Sequence, residues 1–369
     1  MRSQSLVGVA VAVVAVAVVL GARVGRSPGP QSVVAGSGPG LIPAPVVGAL
    51  RAPPAPAEQS DDALCSAYGR SSADSPGGAL RDKPVGDPFM TAARQRLLVS
   101  QSPENLISVA LLAREDDAQR MAATERAMSV GRDNAIVVWS AVQICDRVAE
   151  HPNCPAQDWE TELQKLDSEN SEVWIRLAAS AYERGEIANA LEALRRASTA
   201  AESRDYFPET VAMLERALDS AGGYAFPQRA MLAISFASAN LPAYAPYVNM
   251  CSKQSLDAEW AQTCLDYGRL VERQGKTEIG IGIAQSIQFA ALEAMGDAGA
   301  AEEVQARKAS RARIREATDA RFDFFIFGTP RLFADYLAAM REHGERAALA
   351  QSRIEANRLA DLCSQARAH

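Results

Sequence analysis

Apolar residues recur along most of this chain with the period of an α-helix, most clearly from Asn170 to Ala197. Trp174, Leu177, Ala178 and Ala181 fall at i, i+3, i+4 and i+7, and Ala190, Leu194 and Ala197 repeat that spacing beyond a turn at Gly185. The pattern predicts two short amphipathic helices folded against each other. Neither can bury its stripe alone, so the hairpin needs like neighbours. A looser copy lies upstream. Val138, Val142, Cys145 and Ala149 mark one helix that opens at Asn134, a turn follows at His151-Pro152-Asn153, and Trp159, Leu163 and Leu166 mark a second helix.

The same periodicity predicts helices at about 88–100, 103–115 and 117–130 and, downstream, at about 208–220, 227–239, 257–273, 277–295, 298–318, 330–343 and 345–366. Asp87-Pro88, Ser102-Pro103 and Thr329-Pro330 each place Pro at the first helical position behind a capping residue. Gly222-Gly223, Gly275, Gly296 and Gly344 read as helix stops. Phe322 to Phe327 is the one strand-like run, too short to build a sheet, and it reads as a buried connector. The expected class is all-α.

The Asn170–Ala197 hairpin resembles a tetratricopeptide repeat. Trp174, Leu177, Ala178, Gly185, Ala190, Leu194 and Ala197 match that family's order of large and small positions. The family's Tyr is displaced by one, to Tyr182 after Ala181, and its closing Pro is absent, with Glu202 near that place. From Asn134 to Asn170 is 36 residues, near the family's period of about 34. The resemblance implies a right-handed, irregular stack of helical hairpins whose first helices line a concave surface. It implies ligand-facing positions at Glu172, Ile175, Ala179, Tyr182 and Glu183. Members that clamp a terminal carboxylate use Lys and Asn there. Ile175 and Ala179 disfavour that subclass, so the expected partner is an extended peptide or a protein surface, with Tyr182 as an aromatic anchor.

The amino-terminal end is different. Leu6 to Ala22 is an unbroken apolar run of 17 residues, flanked by Arg2, Arg23 and Arg26. It reads as a transmembrane anchor or a signal peptide within residues 1–26. The anchor is favoured, because cleavage after Ala22 would leave Leu20 where a small residue is wanted. Residues 27–80 read as a linker. Eight of the chain's 19 prolines, Pro28 to Pro56, exclude helix there, and Gly36, Gly38 and Gly40 loosen the backbone further. Fully extended, the Pro-rich part would reach roughly 100 Å. Residues 81–369 then form the helical repeat-like domain.

A hydrophobic fraction of 48% is ample for a core. A net charge of −7 argues against nucleic acid as a partner. Six cysteines behind an export signal suggest disulfides, with fifteen connectivities possible. Cys145 and Cys154 flank one helix reversal, and Cys251 and Cys264 flank another, so local pairing is simplest. Cys65 and Cys363 would then staple the ends or stay free. This places the folded domain in the periplasm or outside the cell, tethered to the cell membrane through residues 6–22. Six free thiols in a cytosolic domain is the alternative.

Motifs for chemistry are sparse. His151 with Cys145 and Cys154 offers three metal ligands where a structural zinc site wants four, and a disulfide beside a turn explains the same residues. His343 suits a helix end. Gly275-Lys276-Thr277 lacks the earlier glycine of a phosphate loop, since Leu270 stands there. Gly280 and Gly282 read as positions of close helix packing. Neither a nucleophile elbow nor a zinc-protease motif is present. Asp116-Asp117 and Glu302-Glu303 read as solvated faces. Arg307, Lys308, Arg311 and Arg315 form a basic stripe, with Glu303 placed to pair with Arg307. The expected function is a protein or peptide interaction scaffold without catalysis, metal or cofactor. The competing expectation is an envelope hydrolase whose helical domain gathers acidic residues into a pocket.

Overall fold

Every regular element among the described residues is helical. The structure, a computed structural model, describes Cys65 and residues 88–368, apart from 149–150, 152–153, 155, 255–256 and 316–324. The expected membrane run at 6–22 and the linker at 27–80 lie outside the described residues, except for Cys65. No helix among the described residues is long and apolar enough to cross a membrane.

The helices are α1 (Pro88–Leu98), α2 (Pro103–Leu112), α3 (Asp117–Val130), α4 (Ala135–Arg147), α5 (Ala156–Leu166), α6 (Ser171–Glu183), α7 (Ile187–Thr199) and α8 (Phe207–Ala221). They continue as α9 (Phe226–Ala239), α10 (Ala245–Gln254), α11 (Ala258–Gln274), α12 (Glu278–Ala294), α13 (Ala298–Arg315), α14 (Pro330–His343) and α15 (Glu345–Ala368). Short polar side chains start many of them: Ser102, Asp116, Asn134, Asn170, Asp257 and Thr277 each accept a hydrogen bond from a first-turn amide. Thr329 precedes Pro330 as expected, but it makes no side-chain cap bond. The reversal between α6 and α7 turns at Gly185, whose φ of 78° lies in the left-handed region open to glycine.

Consecutive helices fold back on one another as α2 on α3, α4 on α5, α6 on α7, α8 on α9, α11 on α12 and α14 on α15. Other contacts join distant parts of the chain. α8 packs on α1, α2 and α14; α11 packs on α7; and α10 packs on α6 and α12. Basic side chains latch these pieces by donating to carbonyls at or just beyond the ends of other helices. Arg126 Nη1 donates to Leu98 O (2.9 Å), Arg147 Nη2 to Leu241 O (2.8 Å) and Lys276 Nζ to Glu342 O (2.9 Å), while Arg96 donates to Ala221 O. Three disulfides close as well: Cys65–Cys363, Cys145–Cys154 and Cys251–Cys264.

The interior holds two large apolar cores and a small third one where Ala339 and Met340 of α14 meet Ala348 of α15. The first large core gathers α1–α5, α8, α9, α14 and the later part of α15; the second gathers α6, α7 and α10–α13. The stripe of the clear hairpin lies in the second, with Ala178, Ala190, Leu194 and Ala197 fully buried and Trp174 nearly so.

Several expectations change. α10 carries no sequence prediction, yet it forms, and Pro246 sits in its first turn, where a missing amide is harmless. The strand-like run ends in a helical turn at 325–328, with Phe325 and Ile326 buried; its earlier part lies outside the described residues. Leu166 is exposed rather than buried. Close helix approach falls not at Gly282, which has open space beside it, but at Gly268. There a β-carbon would sit 2.8 Å from Ala284 O of α12.

Candidate functional site

The site begins with Asn170, which is fully buried and uses both ends of its amide. Its Oδ1 accepts from the amides of Glu172 (3.1 Å) and Arg204 (2.9 Å), and its Nδ2 donates to Asp167 Oδ2 (2.7 Å) and Arg204 O (2.9 Å). Backbone bonds reinforce the tie: Ser171 N donates to Glu202 O (2.8 Å), and Glu202 N to Glu169 O (3.1 Å). The chain leaving α7 is thereby returned to the start of α6. Tyr206 follows with a φ of 57°, the only left-handed non-glycine residue among those described. Such a backbone is strained by about 1–2 kcal/mol and needs external support. The Tyr206 hydroxyl donates to Asp167, the Arg204 guanidinium lies 4.7 Å from the Tyr206 ring centroid, and the Trp139 ring lies 5.2 Å away.

This pinned segment carries Asp205 into the interior beside Glu172 of α6. Both carboxyls are buried, at 7% and 3% exposure. Glu172 Oε1 accepts from Ser203 Oγ and Tyr267 Oη of α11, each at 3.3 Å. Its Oε2 has no protein partner, and neither does the buried hydroxyl of Tyr247. Asp205 accepts from Thr277 Oγ1 and from the amide of Phe207. A β-carbon on Gly280 would lie 3.1 Å from Thr277 Oγ1, 3.7 Å from Asp205 Oδ2 and 3.8 Å from Tyr244 Oη, so glycine there leaves room beside the polar groups.

Electrostatics follow from this burial. Loss of water, then the charge of Asp205, push the Glu172 carboxyl up to about 7, against the hydrogen bonds from Tyr267 and Ser203. Burial raises Asp205 too, against its bonds from Thr277 and Phe207. Buried charges normally have a partner of opposite sign. Arg176, one turn along α6, is engaged by Asp146 and lies 3.5 Å from Glu160.

Asp205 also borders a cleft between α4, α8 and α9, lined by Trp139, Ser140, Gln143, Thr210 and Asn240. It has space for about one water molecule. Both amide atoms of buried Gln143 lack a protein partner, and such a water would serve them.

The residues expected to face a ligand are placed differently. Ile175 is fully buried, and Glu172 and Ala179 are 3% exposed. Ile175 and Ala179 lie in the second core with Tyr247 and Met250 of α10. Sequence spacing alone could not show that α10 covers this face. Tyr182 is half-buried, edge-on to the Trp260 ring at 6.3 Å, and Glu183 is exposed. The basic stripe is a paired surface. Arg307 meets Glu272 (3.0 Å) and Arg311 meets Glu278 (3.3 Å), partners on other helices in place of the expected Glu303. His343 closes α14 as expected. Among the described residues no three His, Cys, Asp or Glu side chains converge as metal ligands. Asp205 was absent from the sequence reading. The buriable cap Asn170 and the Tyr-rich segment 244–247 were the available signals.

No protein-family model matches the chain, and no curated protein matches it.

Proposed function

We propose that this chain is an exported, membrane-tethered stack of tetratricopeptide-like hairpins that works as an interaction scaffold without catalysis. The observation that supports it most is the closure of all six cysteines into three disulfides. That state fits an oxidising compartment and the apolar run at 6–22. Hairpins packed on hairpins supply a rigid surface for a protein or peptide partner. On this reading the partner does not fill the face of Glu172, Ile175 and Ala179, which α10 covers. It meets the open edge at the α6–α7 reversal, where Glu183 and Ile187 are exposed next to Tyr182. The hydrolase alternative gains no support from the buried acids Glu172 and Asp205, which are 3% and 7% exposed.

Crosslinked capture from cells, comparing the native chain with Ile187→Asp, tests the contact. Loss of partners in the variant supports the edge; recovery of the same partners in equal amount refutes it. Alkylation under denaturing, non-reducing conditions tests the compartment. Absence of reactive thiols is expected, and six of them would refute export.

A further inference from the structure

Two buried carboxyls without a counter-charge remain to be explained, and this point stands apart from the scaffold reading. We propose that Glu172 and Asp205 act as a proton-held seam between α6 and the α10–α12 face: one proton carried by the pair keeps the seam closed, and its release to solvent loosens it.

The geometry supplies the parts. Glu172 belongs to α6, Asp205 to the pinned segment after α7, Tyr244 and Tyr247 to the start of α10, Tyr267 to α11 and Thr277 to the cap of α12. The charged groups around them offer no cation. Arg176 of α6 is held by Asp146 of α4 and Glu160 of α5. Arg204 turns to Asp167. Glu209 of α8 adds a further acid near Asp205, and burial raises that one as well. Glu278 of α12 is taken by Arg311 and Arg346. With a proton present, the pair bears one charge, and the Glu172 hydroxyl can donate among the unpaired oxygens. Without it, two like charges sit in an apolar core, and the relief available is entry of water between α6 and α10. The only bond broken is the O–H bond of the carboxyl, and solvent takes the proton.

Hydrogen exchange read by mass spectrometry tests this, comparing about pH 6 with about pH 8 after correction for intrinsic rates. Amides of α6, α10 and α11 in the native chain are expected to exchange about tenfold faster at the higher pH, since a decade accrues per pH unit up to the pKa. Amides of α2 and α4 should change little. Glu172→Gln should hold α6 and α10 protected at both pH values. Asp205→Asn, which keeps the oxygen that accepts from the Phe207 amide, should shrink the loosening and move it to lower pH, because the site then never carries more than one charge. The proposal is overturned if α6 and α10 lose no more protection than α2 and α4. Pitched against the variants, it is also overturned if Glu172→Gln loosens as the native chain does.

Discussion

The two large cores of this protein are built on opposite rules. In the first, α2 is buried from Leu106 through Leu112 and α4 from Val137 through Cys145, so both helices are surrounded by apolar contacts. Of their few polar groups, Ser108 is satisfied locally, its hydroxyl donating to Glu104 O one turn back (2.7 Å), while the side-chain amide of Gln143 has no protein partner. The second core holds an apolar stripe of similar quality around Leu194, but beside it lie Glu172, Asp205 and three buried tyrosines. The first core is stabilised by volume filled. The second sets buried acids and hydroxyls beside its apolar stripe, and the strained Tyr206 next to them packs into the first core. Packing alone requires only the first kind of interior.

The largest expected effect is in the first core. Ile107→Ala leaves a cavity at a fully buried position and should cost about 2–5 kcal/mol by denaturant unfolding, equally at all pH values between about 5 and 8. A strong pH dependence of that loss would break the contrast.

Next comes the pH dependence of the native chain. A carboxyl raised in the folded state binds its proton more tightly there than when unfolded. Its stability contribution is therefore full below 4.5 and lost as pH rises through about 7. The difference amounts to about 3 kcal/mol, and Glu172→Gln should flatten that part of the curve. Glu272 has the opposite sign. Burial opposes its ionisation but is outweighed by hydrogen bonds from Arg307, Gln285 and Gln288, which hold it at about 2, so its contribution is lost on acidification instead.

Asn170→Ala should cost about 2–3 kcal/mol, because it strands the amides of Glu172 and Arg204 inside the protein. It should also move the pH dependence to lower pH, since the Asp205 charge is no longer held beside Glu172, while burial of Glu172 keeps its carboxyl raised. The smallest effect sharpens the comparison by its direction. Tyr247→Phe removes a buried hydroxyl that has no protein partner, and it should raise stability by about 1 kcal/mol. A loss of that size would show a firm hydrogen bond there.

Much of this was legible in the residues themselves. Helical periodicity, the Ser102 and Asn170 caps, the glycine at 185 and the local cysteine pairs are short-range facts, set by spacing and by the conformational limits of each residue. The all-helical class follows from them. The concave face did not follow. Whether Ile175 and Ala179 meet a ligand or another helix depends on where α10 lies, some 70 residues away, and the periodicity does not predict that helix. The meeting of Glu172 with Asp205 was hidden for the same reason. Spacing along a chain determines which side of a helix is apolar; only folding decides what covers it, because burial and the charge it traps arise between segments that are neighbours in space and not in sequence.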